Sequence, residues 1–142
     1  MRAESDSMGE MQVPDEALYG ASTQRAVLNF PISGRQMPEG FIKGLGLMKW
    51  ACAMANEELE KLPSDKADIL KDVAQEIADG KHSHQFPVDI FQTGSGTSTN
   101  MNVNEVIANR ASQIAAKPIG SRNPLHPNDD VNMGQSSNDI IP

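Results

Sequence analysis

Thr93-Gly94-Ser95-Gly96-Thr97-Ser98-Thr99-Asn100-Met101-Asn102-Val103-Asn104-Glu105 is the stretch on which the reading of this chain turns. It starts as a run of glycines and hydroxyls and ends as the first turns of a helix. Met101, Ile107 or Ala108, Ala111 and Ile114 or Ala115 recur at three-to-four spacing, which predicts a helix over about 100–116. A loop of this kind opening into a helix suits an anion. Glycine lets the backbone come close, hydroxyls donate, and the first helical amides have no internal partner. A serine-rich cap on an exposed helix is the competing reading. Asn100, Asn102, Asn104 and Asn109 are poor helix formers, so their amides are expected to have specific polar partners. The stretch is not a Walker loop, because no Gly-Lys-Ser/Thr follows. It is not the dinucleotide fingerprint either, because no glycine stands three residues after Gly96.

Bulk composition narrows the field. The 142 residues suffice for one domain with a core. Aromatics are only 4%, so that core must come from aliphatics, alanine and the 8 methionines, which favours packed helices. A net charge of −7 speaks against a nucleic-acid or anionic membrane surface, and any anion site must work locally against it. The single cysteine, Cys52, allows no internal disulfide and fits a reducing compartment; it reads as a small core residue on a helix. No apolar run approaches the length of about 20 residues that a membrane span needs, and no secretory leader is visible.

Along the chain, Met11 and Val13 alternate with Gln12 and hint at a short strand before Pro14. Gly20 is expected to break residues 15–27 into short turns, with Thr23, Gln24 and Arg25 as a compact polar cluster. A loop marked by Pro31, Gly34 and Pro38 leads to a long helix from about Glu39 to Leu62. Its expected buried stripe is Phe41, Leu45, Met48, Cys52, Ala55, Leu59 and Leu62. Pro63 ends it, and Ser64 is placed to cap a second helix to about Asp79, with face Ile69, Val73 and Ile77 and a stop at Gly80. The two should pair antiparallel. His82 and His84 lack further ligands nearby and read as surface residues.

A second polar region closes the chain: His126-Pro127-Asn128-Asp129-Asp130-Val131-Asn132, then Gln135-Ser136-Ser137-Asn138-Asp139. Ser136, Ser137 and Asn138 supply three neutral donors in a row, fit for a carboxylate or phosphate. A disordered polar tail is the competing reading. The chain stops at Ile140-Ile141-Pro142 with no cap, so it reads as a domain cut from a longer chain.

These two loops, together with Met8-Gly9-Glu10-Met11-Gln12-Val13-Pro14, Leu18-Tyr19-Gly20 and Thr23-Gln24-Arg25-Ala26, resemble three blocks of the class II fumarases in the right order. The resemblance covers essentially the whole chain. Aspartases, the rival within the superfamily, tend to have Asn where His126 stands and Thr where Ser137 stands, which leans the resemblance to fumarase. It implies a mainly α fold, the N-terminal helical domain of the fumarase/aspartase type with a small extended or β piece. It implies a homotetramer that reversibly hydrates fumarate to (S)-malate, a step of the tricarboxylic acid cycle, without metal or organic cofactor. The acidic balance and the absent leader suggest the cytoplasm, and neither nucleic acid nor membrane is expected as partner. By similarity, Ser95, Gly96, Thr97, Ser136, Ser137 and Asn138 contact the substrate. His126, Pro127, Asn128 and Asp129 line a second dicarboxylate site, although Asn123 and Pro124 stand where relatives often carry basic residues. The family's catalytic serine loop, histidine and lysine belong to later blocks that these residues do not include. The central helical bundle and C-terminal domain are therefore expected beyond Pro142, and the 142 residues alone are expected to be inactive. A non-catalytic anion-binding or assembly module, and an aspartate ammonia-lyase domain, are the alternatives.

Overall fold

In the computed structural model, which describes residues Met1–Pro142, the chain opens with a hairpin and not with one short strand near Met11. Strand β1 (Arg2–Asp6) pairs antiparallel with β2 (Gly9–Val13), Arg2 opposite Val13 and Asp6 opposite Gly9. Pattern reading missed β1 because its inward-facing residues are charged. Arg2, Glu4 and Asp6 alternate with exposed neighbours, and they are satisfied by ion pairs, Arg2 with Glu4 at 3.0 Å and Asp6 with Arg25 at 2.9 Å.

Helix α1 (Ala21–Asn29) replaces the short turns expected over residues 15–27. Gly20 does not break this helix; it precedes it in extended conformation. Its missing side chain is what matters, since an added Cβ would collide with the carboxyl of Glu105. The glycine marks a close approach, which its position in the sequence does not distinguish from a breaker.

Helix α2 (Glu39–Glu58) ends four residues before the expected Leu62. Glu60 takes a left-handed conformation, φ 57°, and the amides of Lys61 and Leu62 turn back to the Asn56 carbonyl at 2.9 and 3.1 Å. That closure satisfies the last carbonyls and drops Leu62 into the core. The expected stripe is also rotated. The buried residues are Ile42, Leu45, Gly46, Lys49 and Ala53, whereas Leu59 is 65% exposed, Ala55 is exposed and Cys52 is half-buried. Gly46 sets this seam: a Cβ there would stand 2.8 Å from the Ala78 amide nitrogen and 3.0 Å from the Ala74 carbonyl.

Helix α3 (Ser64–Ala78) buries Ala67, Leu70, Val73, Ala74 and Ile77. Ser64 does not cap it; Pro63 holds that place and Ser64 is already helical. Gly80, φ 80°, stops it as expected. Gly46 against Ala74 and Ala78, and Lys71 bonded to Glu57 at 2.7 Å, show that α2 and α3 run antiparallel. After a short 3-10 turn (Ser83–Gln85) comes α4 (Thr97–Ile114), which is buried at nearly every residue from Thr99 to Ser112. It is the spine: Val103, Val106, Ile107 and Ala111 meet Leu45, Leu70, Val73, Phe86 and Leu125 in one core. A π-type turn (Pro127–Val131) and a last short helix α5 (Ser137–Ile140) fold back over its start. The fold is mainly α with a two-stranded piece, as the sequence indicated. No helix is long and apolar enough to cross a membrane.

Candidate functional site

The four asparagines of α4 all have partners, and those partners fix the loops around the site. Asn102 donates to the Gln85 carbonyl at 2.9 Å. Asn109 donates to the Leu18 carbonyl at 2.7 Å and accepts from the Gly120 amide at 2.9 Å. Asn100 and Asn104 both donate to Asn132 Oδ1, at 3.0 and 3.2 Å. These amides act as scaffold inside the fold, holding the second polar region against the first.

The start of α4 is not closed by a serine cap. Gly96, φ 72°, precedes it and provides no side chain. Gln92 reaches in instead, its Oε1 accepting from the Thr99 amide at 2.9 Å. The amides of Thr97 and Ser98 carry no hydrogen bond within the protein. Beside them runs a row of hydroxyls: Ser95 Oγ lies 2.8 Å from Thr97 Oγ1, which lies 2.9 Å from Ser137 Oγ. Two segments forty residues apart thus meet at Thr97. Ile141 packs over Gly96, where a Cβ would come within 2.9 Å of its Cγ2, and this holds α5 down. Ser136 and Asn138 are exposed on the same turn, and their side chains form no hydrogen bond inside the protein. Free amides and neutral hydroxyls at a helix start make a surface that accepts an anion without a full positive charge.

The residues of the expected second site gather elsewhere. His126 Nδ1 accepts from the amides of Asn128 and Asp129, each at 3.1 Å, so the imidazole itself caps the π turn. Its own amide donates to Asp130, whose carboxylate is held by Lys66 at 3.1 Å. His126, Pro127 and Asn128 line a cavity of about 430 Å³, shared with Arg122, Glu4, Asp6, Glu10 and Glu105; Asp129 lies outside it. Burial pushes the Glu105 carboxyl up to about 7, against two Thr23 donors at 2.8 Å, with the nearby Glu4 charge adding to the rise. Burial also raises Glu4. One side of this cavity is therefore acidic, and only the Arg122–His126 end suits an anion.

Two buried ionisable residues escaped sequence reasoning. Glu105 stood inside the opening stretch without a role. Lys49 is fully buried and reaches Asn100 Oδ1 and Gln135 Oε1, both at 2.7 Å. The available signal was positional: Lys49 falls in step with Ile42, Leu45 and Ala53, a cation on an otherwise apolar stripe. Asp89 is a third organiser. The amide of Phe91, then Ser33 and Gly34 donors, hold its carboxyl at about 2, tying the loop at Ser33 to the approach to Gln92. His82 bonds Glu76 at 2.6 Å and His84 is exposed; no group of three metal-ligating side chains occurs in the chain.

A family model described as Lyase matches residues 9–142. The chain is 56% identical to the class II fumarate hydratase of Halobacterium salinarum over 99% of its own length and 30% of that relative's. It is 59% identical to the class II fumarate hydratase of Mycobacterium tuberculosis, over 99% and 28%. Among solved structures it superposes at TM-score 0.94, with 45% identity, on the fumarate lyase:delta crystallin of Brucella melitensis, covering 98% of this chain and 32% of that one. The class II fumarase of Schistosoma mansoni gives TM-score 0.94 and 44% identity, over 99% and 30%. The chain thus spans about 30% of the length of the relatives it matches. It belongs to the lyase family, and within that family its likeness is to the class II fumarate hydratases.

Proposed function

We propose that these residues form the dicarboxylate-binding walls of a fumarate hydratase, which interconverts fumarate and (S)-malate. One observation carries the reading: Thr97 Oγ1 joins Ser95 and Ser137 into a single row of donors beside the free amides of α4. Ser95, Gly96 and Thr97 would meet one carboxylate, and Ser136, Ser137 and Asn138 the other. Donors fixed in this way stabilise the carboxylate that takes up charge in a carbanion-like transition state. Hydration also needs a base at the carbon and an acid at the departing hydroxyl. In this reading the hydroxyl row supplies neither; they come from other parts of a longer, tetrameric protein, and the 142 residues alone do not turn over. His126, Pro127, Asn128 and Asp129 would serve a second, weaker dicarboxylate site, limited by the carboxyls around it.

The test is the product of the complete gene, assayed at 240 nm with malate and with aspartate. Malate turnover is expected, with none by residues 1–142 alone. Thr97→Val should lower kcat/KM by about 10- to 100-fold, the loss of one hydrogen bond to a charged group. Deamination of aspartate without malate turnover, or an unaffected Thr97→Val enzyme, would overturn the reading.

A further inference from the structure

Lys49 has no exposure to solvent. Its acceptors are Asn100 Oδ1 and Gln135 Oε1 at 2.7 Å and Asn132 Oδ1 at 3.4 Å. All three are neutral amide oxygens. A buried ammonium is costly, and proteins usually pair it with a carboxylate. Here none is in reach. On α2 the only titratable neighbour is Cys52, whose thiol burial keeps protonated. From α4 the site is faced by Asn100 and Asn104, and from the closing segment by Asn132 and Gln135. Asp130, the nearest carboxylate along that segment, is taken by Lys66.

The connections of these acceptors give the lysine its place. Asn100 is one helical turn after Thr97, and Gln135 immediately precedes Ser136 and Ser137. Asn132 receives Asn100 and Asn104 as well. One cation therefore draws together the two segments whose hydroxyls meet at Thr97.

We propose that Lys49 is a positioning residue for the anion site, its ammonium setting the gap between the two donor walls while a bound dicarboxylate supplies the negative charge that the lysine lacks. This rests on the dicarboxylate reading of the hydroxyl row. Burial brings the Lys49 ammonium down to about 7, so the free site holds mostly the neutral amine at pH 8. A dianion favours the charged form and raises that value. Binding must then take up a proton above pH 7, and by reciprocity affinity must fall as pH rises.

Malate binding to the complete protein, followed by calorimetry in two buffers of different ionisation heat, reads this directly. Wild type is expected to take up about one proton per site at pH 8 and almost none at pH 6. Its KM for malate should rise about fivefold between pH 7 and 8 with little change in kcat. K49R, charged throughout, should take up none at either pH and show a flat KM. A merely structural lysine would leave uptake and the pH profile of KM the same in both. That result, with malate turnover intact, overturns the proposal alone. Absence of malate binding and turnover in wild type removes the dicarboxylate reading and the proposal together. Should K49R fail to fold, the 13Cε resonance of Lys49 in wild type reports its protonation. A midpoint near 7 that climbs with malate supports the proposal, and one that malate does not move overturns it.

Discussion

Glu105 shows how a single buried carboxyl can set the pH response of the chain. Its folded value of about 7 lies above the ordinary 4.5, because burial outweighs the two Thr23 donors. Between those values the folded chain keeps a proton that the unfolded chain has released. Its contribution is therefore full below about pH 4.5 and is lost as pH rises through 7, a change on the order of 3 kcal/mol. Glutamine keeps an oxygen for Thr23 and removes the titration. Urea melts of wild type and Glu105→Gln across pH 4.5–7.5 should show wild-type stability falling relative to the variant; parallel pH profiles would refute the assignment. Sequence alone could not supply this. Glu105 follows Asn104 on a helix whose apolar spacing is ordinary, and nothing local says that Gly20 and Thr23, more than eighty residues earlier, close over it.

At the scale of elements, legibility followed the kind of residue that makes each contact. Helix α3 could be read because Leu70, Val73 and Ile77 bury aliphatic side chains at regular spacing. Helix α2 was found, but its face was rotated, because the buried seam is made by a glycine and a lysine. A hydrophobic pattern gives weight to Met48, Cys52 and Leu59 and none to Gly46. Helix α1 was missed since its buried residues are Ala21, Thr23 and Ala26, too small and polar to register as a stripe. Two of the three glycines of α2 offer a direct contrast. Gly44 has open space around it, whereas a methyl on Gly46 meets the backbone of α3. Gly44→Ala should stabilise by about 0.5–1 kcal/mol through helix propensity. Gly46→Ala gains the same propensity but must push α2 from α3, and a net loss of about 1–3 kcal/mol is expected. Thermal melts of the two variants check this, and equal effects would mean that Gly46 does not set the seam.

For the whole molecule, the candidate site was legible as two donor-rich loops but not as one surface. What joins them is the polar side of α4, and asparagines there can be counted in a sequence without showing which loop each one grips. Asn109 binds two segments far apart in the chain. It donates to the Leu18 carbonyl after the hairpin and accepts from the Gly120 amide before the closing segment. It is 5% exposed, and its bond to the Leu18 carbonyl is buried. Asn109→Ala leaves the buried Leu18 carbonyl unmet, at a cost of about 1–3 kcal/mol, and frees the half-buried Gly120 amide. The losses should not spread evenly. The core of Leu45, Leu70, Val73 and Val106 is untouched, whereas residues 1–20 are linked to α4 through Asn109 and the Glu4 and Glu105 carboxyls. Hydrogen exchange should therefore show protection lost first across β1, β2 and residues 14–20, with α2 and α3 holding theirs until global unfolding. A uniform loss of protection along the chain would mean that the hairpin and the helical core open as one unit, and that Asn109 is one contact among many and not their joint.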